Sequence, residues 1–542
     1  MSRTCVLSLF ASGVAAVLFA GCSSSNAVLT GGPPPPPPGP SSTDIVTYHY
    51  DNQRTGQNLN EVTLTTANVN STKFGKLGEF TVDGKVDAQP LYLSGLTIGG
   101  QKKNVLYVVT EHGSVYAFDA DSISGTTSTS LWKTSTLRSG ETTSDNRGCG
   151  QVSPEIGITA TPVIDRTRNA IYVIAMSKDS SGNYFQRIHA LDLTTGAELF
   201  GGPKTVSATF PGTGDNSSGG NVVFDPKQYK ERPGLLEISG TIYTTWASHC
   251  DIRPYTSWVM AFDANTLAQT SVLNLVPNGS EGGLWMSGAA PAADSAGNIF
   301  FLVGNGTFET TLTAQGFPSN KDCGNCFVKL STGGGLALAD YFTPQNTVAE
   351  SNADQDLGSG GTLLLPDMKD ASGTTRHLTL GGGKDSTIYV ADRDNMGKFN
   401  ASSNQIYQSI AMSATMFSAP AYFNNTVYLA AVGDALKAFP ITSAKLASVP
   451  SSQSAHVFSY PGATPSVSAN GSGNGIVWAI ENSGAILFAY DATDLTKELY
   501  DSNQAANNRD HFSGNKFITP MVVNGKVYVG TPNSVAVFGL LP

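Results

Sequence analysis

The sequence is poor in charged residues, has no cluster of basic residues and has no apolar stretch long enough to cross a membrane. Charged side chains make up 14% of its 542 residues, and its formal net charge is −10. Because nucleic acids and anionic lipids bind to clustered Lys and Arg side chains, neither is expected as a partner. The longest apolar run, at residues 6–19, is shorter than the about 20 residues of a membrane-spanning helix.

The sequence also lacks several motifs of enzyme active sites. It contains no Gly-x-Ser-x-Gly, Walker or Rossmann glycine motif, which disfavours hydrolase and nucleotide-binding functions. It contains no Cys-x-x-Cys-His for haem attachment, so an enzyme with this sequence would need a separate electron acceptor. Its seven histidines show no spacing typical of metal ligands. Glycine is abundant instead, with 58 residues, as is typical of an exported β-protein with many turns.

The first 43 residues differ in composition from the rest of the chain. The short apolar run at residues 6–19 follows Arg3 and predicts a secretory signal peptide at residues 1–21. Residues 22–43 contain six consecutive prolines at positions 33–38, and they predict an extended Pro/Ser-rich linker. From residue 44 the composition becomes globular without a further break, which predicts one domain over residues 44–542.

The end of the signal sequence, Leu-Phe-Ala-Gly-Cys at residues 18–22, resembles the bacterial lipobox. The resemblance implies that Cys22 becomes the lipidated first residue of an exported lipoprotein, anchored in a membrane through its lipid. Since Ser23 rather than Asp follows Cys22, the resemblance also implies the outer membrane, on its periplasmic or surface face. The alternative is an ordinary signal peptide with a chance cysteine.

Four cysteines remain after the linker, and an even number in an oxidising compartment suggests disulfide bonds. Cys323 and Cys326 lie in a Cys-x-x-Cys pattern, which we interpret as a small loop disulfide, with half of a zinc or redox motif as the alternative. Under the disulfide interpretation, Cys149 would pair with Cys250 and tie two long loops together.

A repeated pattern organises residues 88–542. An aromatic-valine strand is followed, after a polar turn, by a strand that ends on small-aromatic-Asp, as at residues 106–109 and 117–120. The pattern returns at residues 171–192 and 242–264, with weaker copies near 388, 428, 478 and 528. Self-similarity at a period of roughly 50–70 residues is typical of a β-propeller.

The number of repeats predicts how the propeller is built. Seven complete units occupy residues 88–500, and an eighth begins at Phe517 but has room for three strands only. Residues 74–82 can supply the missing outer strand, which would leave no open sheet edge. The sequence therefore predicts an all-β, eight-bladed β-propeller of four-stranded antiparallel blades, closed by an N-terminal strand in the last blade. Seven blades is the alternative.

The sequence resembles the quinoprotein alcohol dehydrogenases in three features. These are the N-terminal strand at residues 74–82 that closes the last blade, the eight units, and a blade phrase at residues 107–120, Tyr-Val-x-x-x-x-Gly-x-Val-Tyr-Ala-Phe-Asp-Ala. The resemblance implies pyrroloquinoline quinone (PQQ) and calcium as possible cofactors. It implies that Trp285 forms the floor under the quinone and that Lys384 lies at its carbonyl edge. It further implies calcium ligation by Asn305 and Asp356, with Asp356 also the candidate catalytic base.

Three departures from that family separate this sequence from a typical member. The adjacent cysteine pair of the first blade is replaced by Glu-His-Gly at residues 111–113, and Gln355 stands where the family has Trp. The second blade has no calcium-binding Glu at the matching place, and Asp179 or Glu155 is the candidate substitute. Each candidate site residue also has a structural explanation, as a core Trp, a turn Asn, a loop-capping Asp or a rim Lys.

The favoured function is therefore a quinoprotein-like propeller on an exported lipoprotein that binds a protein, a glycan or a small molecule without turnover. The missing second-blade Glu favours this function. The alternative is a calcium- and PQQ-dependent alcohol or sugar dehydrogenase, which the ordered set Trp285, Asn305, Asp356 and Lys384 favours. Whether the chain is an enzyme stays open at this point.

Overall fold

The structure is a computed structural model that describes residues 44–123 and 129–542. The predicted signal peptide, Cys22 and the linker lie outside the described residues, and the boundaries at residues 22 and 44 stay predictions. The described residues form mainly antiparallel sheets. Their helical segments are one α-helix, Thr347–Asn352, and the 3-10 turns Met286–Gly288, Leu357–Ser359 and Ala506–Asn508. None of the helices in this part of the chain has the length and apolar character needed to span a membrane.

The main sheets are meanders in which consecutive strands are neighbours. Sheet 1 contains Leu91–Ile98, Gln101–Val109, Ser114–Asp119 and Trp132–Ser135. Sheet 2 contains Val163–Asp165, Ala170–Asp179, Tyr184–Asp192 and Lys204–Thr205. Sheet 3 contains Leu236–Ile238, Thr241–Thr245, Trp258–Asp263 and Gln269–Asn274. Sheet 4 contains Ala292–Ala293, Ile299–Leu302, Phe327–Ser331 and Ala337–Phe342.

The second half of the chain repeats the plan. Sheet 5 contains Thr362–Leu364, Leu378–Gly382, Thr387–Asp392 and Gln408–Ala411. Sheet 6 contains Ala421–Phe423, Thr426–Ala430, Asp434–Thr442 and Ser452–Phe458, with Lys445–Leu446 on the end of its third strand. Sheet 7 contains Ser466–Asn470, Gly473–Glu481, Ile486–Asp491 and Glu498–Asp501. Sheet 8 contains Met521–Val523, Lys526–Gly530, Ser534–Leu540 and Phe74–Thr81.

The N-terminal strand predicted at residues 74–82 is present as Phe74–Thr81. It pairs antiparallel with Ser534–Leu540, the last strand of the chain. The edge of that strand is therefore covered by a segment more than 450 residues away in sequence, from Phe74 opposite Leu540 to Thr81 opposite Ser534. A second early segment, Gln57–Asn58, pairs parallel with Ser466–Asn470 of sheet 7.

Shorter strands lie in the loops. Glu141–Asp145 pairs with Ala170–Asp179 and with Glu155–Ile156. Thr209–Pro211, Ser217–Ser218 and Asn221–Val223 form a small sheet between sheets 2 and 3. Met368–Lys369 pairs with Thr375–Arg376 in a hairpin between the first and second strands of sheet 5.

The hydrophobic core is divided among clusters that lie between successive sheets, and it does not form a single central cluster. The second and third strands carry β-branched and aromatic residues on both faces, so each sheet is apolar towards both of its neighbours. Tyr107 of sheet 1 packs with Ile171 and Val173 of sheet 2, and Tyr172 of sheet 2 packs with Trp258 of sheet 3. One such cluster joins the last sheet to the first, through residues that include Phe80, Tyr92, Leu106, Met521 and Tyr528.

Both predicted disulfides are present. Cys149 pairs with Cys250, and Cys323 pairs with Cys326. The aspartates that end the repeated pattern have a structural role, because the carboxylates of Asp119, Asp263 and Asp491 accept backbone N–H bonds from residues two positions on.

Candidate functional site

The four residues that the resemblance singled out lie at one edge of sheets 4 and 5. Trp285 precedes the first strand of sheet 4, and Asn305 follows its second strand. Asp356 and Lys384 hold the same two positions in sheet 5. Since neighbouring strands are antiparallel, the start of the first strand and the end of the second lie at the same edge of a sheet. The repeat therefore places all four residues on one side of the molecule.

Three of the four line one cavity of about 60 Å³. The side chains that line it come from loops before a first strand or after a second strand in sheets 2 to 8. They are Gln151, Arg232, Asp251, Trp285, Ser287, Asp356, Ser359, Lys384, Phe417, Tyr460 and Phe517. Asn305 is not in this lining, but its neighbour Gly304 is close to it. A Cβ on Gly304 would lie 2.8 Å from the Gly283 carbonyl oxygen, which is too close, so glycine is required there. The same position is 3.4 Å from Asp356 Oδ2 and Trp285 Cδ1, which places Gly304 beside the cavity.

Asp356 and Lys384 form an ion pair inside the cavity. Lys384 Nζ lies 2.8 Å from Asp356 Oδ1, and it also contacts the exposed carboxylate of Asp354. Burial raises the pKa of Asp356, and Lys384 offsets this only in part. Burial lowers the pKa of Lys384, but the carboxylates of Asp356 and Asp354 outweigh that effect and raise it. Lys384 is therefore a charged ammonium already held by two protein carboxylates.

Asn305 is held by the same acidic loop. Its Nδ2 donates a hydrogen bond of 2.6 Å to Asp354 Oδ1, while its Oδ1 is enclosed and has no hydrogen-bond partner among the described residues. The loop after Asn305 is fixed by the small disulfide, because the N–H of Asn325, between Cys323 and Cys326, donates to the Gly304 carbonyl. Asn325 Oδ1 accepts the N–H of Leu357, next to Asp356, at 2.7 Å. The Cys-x-x-Cys loop thus supports both site loops.

Arg232 is the cavity residue that sequence reasoning missed. Its side chain is 7% exposed. Within residues 44–123 and 129–542, its guanidinium makes no hydrogen bond or ion pair with the protein. The guanidinium lies 5.3 Å from the centroid of the Phe517 ring, and its charge also acts on the carboxylate of Asp87. Because this largely buried guanidinium is hydrogen-bonded to no carboxylate of the described residues, the arrangement favours an anionic ligand as a further partner.

Lys230, two residues earlier, is a second unpaired cation. It is 1% exposed, and its Nζ has no hydrogen-bond partner in the described part of the chain. The ammonium lies 4.9 Å from the centroid of the Trp285 ring. Burial lowers the pKa of Lys230 to about 7, and the positive charge of Arg232 acts in the same direction.

A pair of buried acids faces these cations. Glu111 Oε2 accepts hydrogen bonds from the Gly157 N–H at 2.9 Å and from Thr159 Oγ1 at 3.0 Å. Burial, together with the adjacent Asp87, raises the pKa of Glu111 to about 8. Asp87 stays ionised because Lys85, 3.1 Å from its Oδ1, and Arg232 outweigh its burial and lower its pKa. Near pH 7 this pair therefore carries about one negative charge.

Aromatic rings form the rest of the cavity wall. Phe417, Tyr460 and Phe517 make two edge-to-face contacts, with centroids 5.4 and 6.1 Å apart. Half-buried Trp285 adds a fourth ring. The backbone after it is strained, because Met286 and Ser287 have φ angles of 42° and 51°. Such strain next to a half-buried Trp is typical of a binding site.

Calcium does not fit these residues well. Among the described residues no group of three or more His, Cys, Asp or Glu side chains is placed to hold a metal ion. Asn305 Oδ1 is a free donor, but Asp356 is already paired with Lys384. Glu155 bonds His112 at 3.0 Å, and Asp179 closes its own hairpin by accepting the Ser181 and Asn183 N–H groups. Both are therefore engaged elsewhere and do not replace the missing Glu. The chemistry of a planar carboxylated quinone suits this lining better, because aromatic rings and the guanidinium of Arg232 line the cavity.

Several solved structures of other proteins share this architecture. A quinohemoprotein alcohol dehydrogenase from Comamonas testosteroni matches with a TM-score of 0.59 and 16% identity, covering 92% of this chain and 80% of that one. One from Pseudomonas putida HK5 matches with a TM-score of 0.62, 14% identity and the same coverage. A europium-containing methanol dehydrogenase matches at 0.58 and 12%, covering 92% of this chain and 98% of that one. The fold is that of the quinoprotein alcohol dehydrogenase propellers.

The resemblance drawn from the blade phrase is therefore confirmed as a likeness of fold. No protein-family model and no curated protein matches the sequence. The activity, cofactors and site roles of the matched proteins do not follow from identities of this size. The site has to be interpreted from its own residues.

Proposed function

We propose that sheets 1 to 8 are the blades of one closed eight-bladed propeller, and that the cavity lies at its axis. Three observations support this. Each sheet has four meander strands, the first and last sheets share a buried cluster, and the cavity is lined from the same edge of sheets 2 to 8. A ring brings those edges together around its centre.

Within that cavity, the propeller binds a planar, anionic organic molecule without turning it over. The observation that carries this function is Arg232, a nearly buried side chain whose guanidinium makes no hydrogen bond or ion pair with a carboxylate of the described residues. The rings of Trp285 and Phe517 supply flat surfaces for stacking, and the guanidinium supplies a bidentate site for a carboxylate. Because Lys384 is already paired with Asp356 and Asp354, it contributes less to an incoming anion.

The experiment is titration calorimetry of the purified protein with PQQ, a planar tricarboxylate, in buffer that contains EDTA. We expect saturable one-to-one binding. Arg232→Met should weaken it about 10- to 100-fold, the usual worth of a hydrogen bond to a charged group. Arg253→Met is the matched control, because it removes an equal charge from an exposed arginine paired with Asp215. If neither PQQ nor benzene-1,2,4-tricarboxylate binds, the proposed function is wrong.

The second candidate function is a calcium- and PQQ-dependent alcohol or sugar dehydrogenase. The free Oδ1 of Asn305 beside Trp285 and Asp356 favours it. In that case the quinone supplies the hydride acceptor, Lys384 holds Asp356 in its ionised form, and Asp356 accepts a proton at its carboxylate. PQQ- and calcium-dependent reduction of an artificial dye by alcohols or aldoses, lost in Asp356→Asn, would establish this function over the first.

The location of the protein completes the proposal. Cys22 would carry a lipid that anchors the propeller to the outer membrane, with residues 22–43 as the spacer. The composition of those residues supports this. Metabolic labelling with a fatty-acid analogue should mark the wild type and leave Cys22→Ala unmarked. Equal labelling of the two would show that Cys22 is not the acceptor.

A further inference from the structure

We propose that the ammonium group of Lys230, and not a metal ion, supplies the second positive charge that holds the anionic ligand at Trp285. This inference rests on the proposed function, because it concerns the ligand of the same cavity. Lys230 does not line that cavity; its Nζ is enclosed against Trp285, which does. Lys230 gives that cavity a metal-free mode of binding, with a cation that belongs to the chain.

The position of Lys230 is fixed by its backbone. Its N–H donates to the Ala247 carbonyl at 2.9 Å, and the Ala247 N–H donates back to the Lys230 carbonyl at 3.0 Å. The side chain lies against Trp285, with Nζ 4.9 Å from the ring centroid. A ligand stacked on that ring therefore comes within roughly 10 Å of the ammonium, since stacked centroids are about 5 Å apart. In a buried site, charges at that distance still interact.

A metal ion bound at Asn305 and Asp356 would not find a free set of ligands. Asn305 Oδ1 is a free neutral donor there, but the neighbouring carboxylates of Asp354 and Asp356 are already paired with Lys384. For Asp356 to become a metal ligand, Lys384 would have to move away from it, and the ion pair at 2.8 Å would be lost. The charges that a divalent ion would bring are already supplied by the chain.

The buried amine makes ligand binding depend on protons. Since the pKa of Lys230 is about 7, the free amine is partly neutral at neutral pH, and a bound anion raises that pKa. Binding therefore takes up protons, and affinity falls as pH rises from 7 to 9. The charged groups that act on Lys230 are Arg232, Glu111, Asp87 and Asp251. The pKa of Glu111 is about 8, so its ionisation between pH 7 and 9 also weakens anion binding, and the Lys230→Met variant separates the two contributions. Burial lowers the pKa of His249 to about 3, so His249 is neutral in this range.

The test is calorimetry of PQQ binding in EDTA and in calcium, each in two buffers with different heats of ionisation. We expect equal affinity with EDTA and calcium, and an uptake of up to one proton per PQQ at pH 7.5. Lys230→Met should weaken binding by about tenfold or more and remove most of the proton uptake. Lys227→Met, three residues away on an exposed side chain, should change neither.

The outcomes separate the two claims. Binding that requires calcium, or that keeps its affinity and proton uptake in Lys230→Met, overturns this inference and leaves the proposed function standing. No PQQ binding in any condition overturns both. If Lys230→Met fails to fold, the wild-type comparison of EDTA with calcium still decides, because calcium-dependent binding contradicts the inference without any variant.

Discussion

At the scale of single residues, the site is a balance of buried charges. Asp356 is almost completely enclosed, whereas Asp354, the other partner of Lys384, is largely exposed. Lys384 therefore stabilises Asp356 more than Asp354, because water already solvates the exposed carboxylate. Removing Lys384 leaves one buried carboxylate without its counter-charge.

We expect Lys384→Met to lower the free energy of unfolding by about 2–3 kcal/mol at pH 8, somewhat less than a fully buried pair costs. The pKa of Asp356 in the folded variant rises further above that of the unfolded chain. A carboxyl with a raised folded pKa loses stability as pH rises, so the deficit against wild type should shrink at pH 5. Urea unfolding at the two pH values measures this.

Lys497→Met is the control for that experiment, because Lys497 is an exposed lysine 3.9 Å from Asp494. It should change stability by less than about 0.5 kcal/mol at either pH. A deficit of Lys384→Met that is equal at pH 5 and pH 8 would contradict the role assigned to Asp356.

The residues that sequence reasoning found and missed differ in a simple way. Trp285, Asp356 and Lys384 lie in segments whose spacing follows the repeat, and they line one cavity. Arg232 and Lys230 precede a strand in a Lys-Glu-Arg-Pro segment that has no counterpart in the other repeats. Whether a cation is paired depends on contacts across sheets, which no local pattern reports. No signal in one sequence would have marked these two residues.

At the scale of elements, two long loops depend on the Cys149–Cys250 disulfide. Cys149 lies two residues before Gln151, and Cys250 lies one residue before Asp251. Both of these following residues line the cavity. The disulfide therefore fixes part of the cavity wall as well as closing a loop with a sequence separation of 101 residues.

The double variant Cys149→Ser/Cys250→Ser should lose about 2–4 kcal/mol of stability, the usual range for removing a disulfide that closes a long loop. It should also weaken PQQ binding several-fold, because Gln151 and Asp251 are no longer held together. Urea unfolding and calorimetry measure the two effects. An unchanged PQQ affinity would show that these loops do not form the binding wall.

The sheets were predictable because the same strand pattern recurs along the sequence, once in each unit. Sheets 1 to 7 lie within the predicted range of residues 88–500 to within one residue, and the first strand of sheet 8 begins at Met521, after the predicted start at Phe517. The loop elements were not predictable in the same way. The small sheet between sheets 2 and 3 and the helix Thr347–Asn352 occur once, so no repetition supports them.

At the scale of the whole molecule, stability depends on the N-terminal strand. Phe74 is fully buried, and its ring lies 4.9 Å from Tyr500 and 5.4 Å from Trp478, between centroids. These contacts join the start of the chain to sheet 7, while the backbone of the same strand pairs with sheet 8. Loss of this strand would open a sheet edge and expose apolar surface.

We expect Phe74→Ala to cost about 3–5 kcal/mol, as for other buried Phe to Ala changes. It should also promote concentration-dependent association. If the N-terminal strand is loosened, the edge of Ser534–Leu540 that it covers becomes unpaired. Thermal unfolding and light scattering measure these effects. Lys73→Ala, on the adjacent exposed residue, should behave as wild type. A Phe74→Ala protein with wild-type stability would contradict the role of this strand in holding the molecule together.

The central claim is that Arg232 and the aromatic rings of one cavity, with Lys230 enclosed against Trp285, bind a planar anion without a metal ion. A crystal structure of the protein with PQQ, grown in EDTA, tests it most directly. The account predicts the ligand stacked on Trp285, with a carboxylate on the Arg232 guanidinium and no metal density beside Asn305. A ligand bound on the outer surface, or held through a retained metal ion at Asn305 and Asp356, would contradict it.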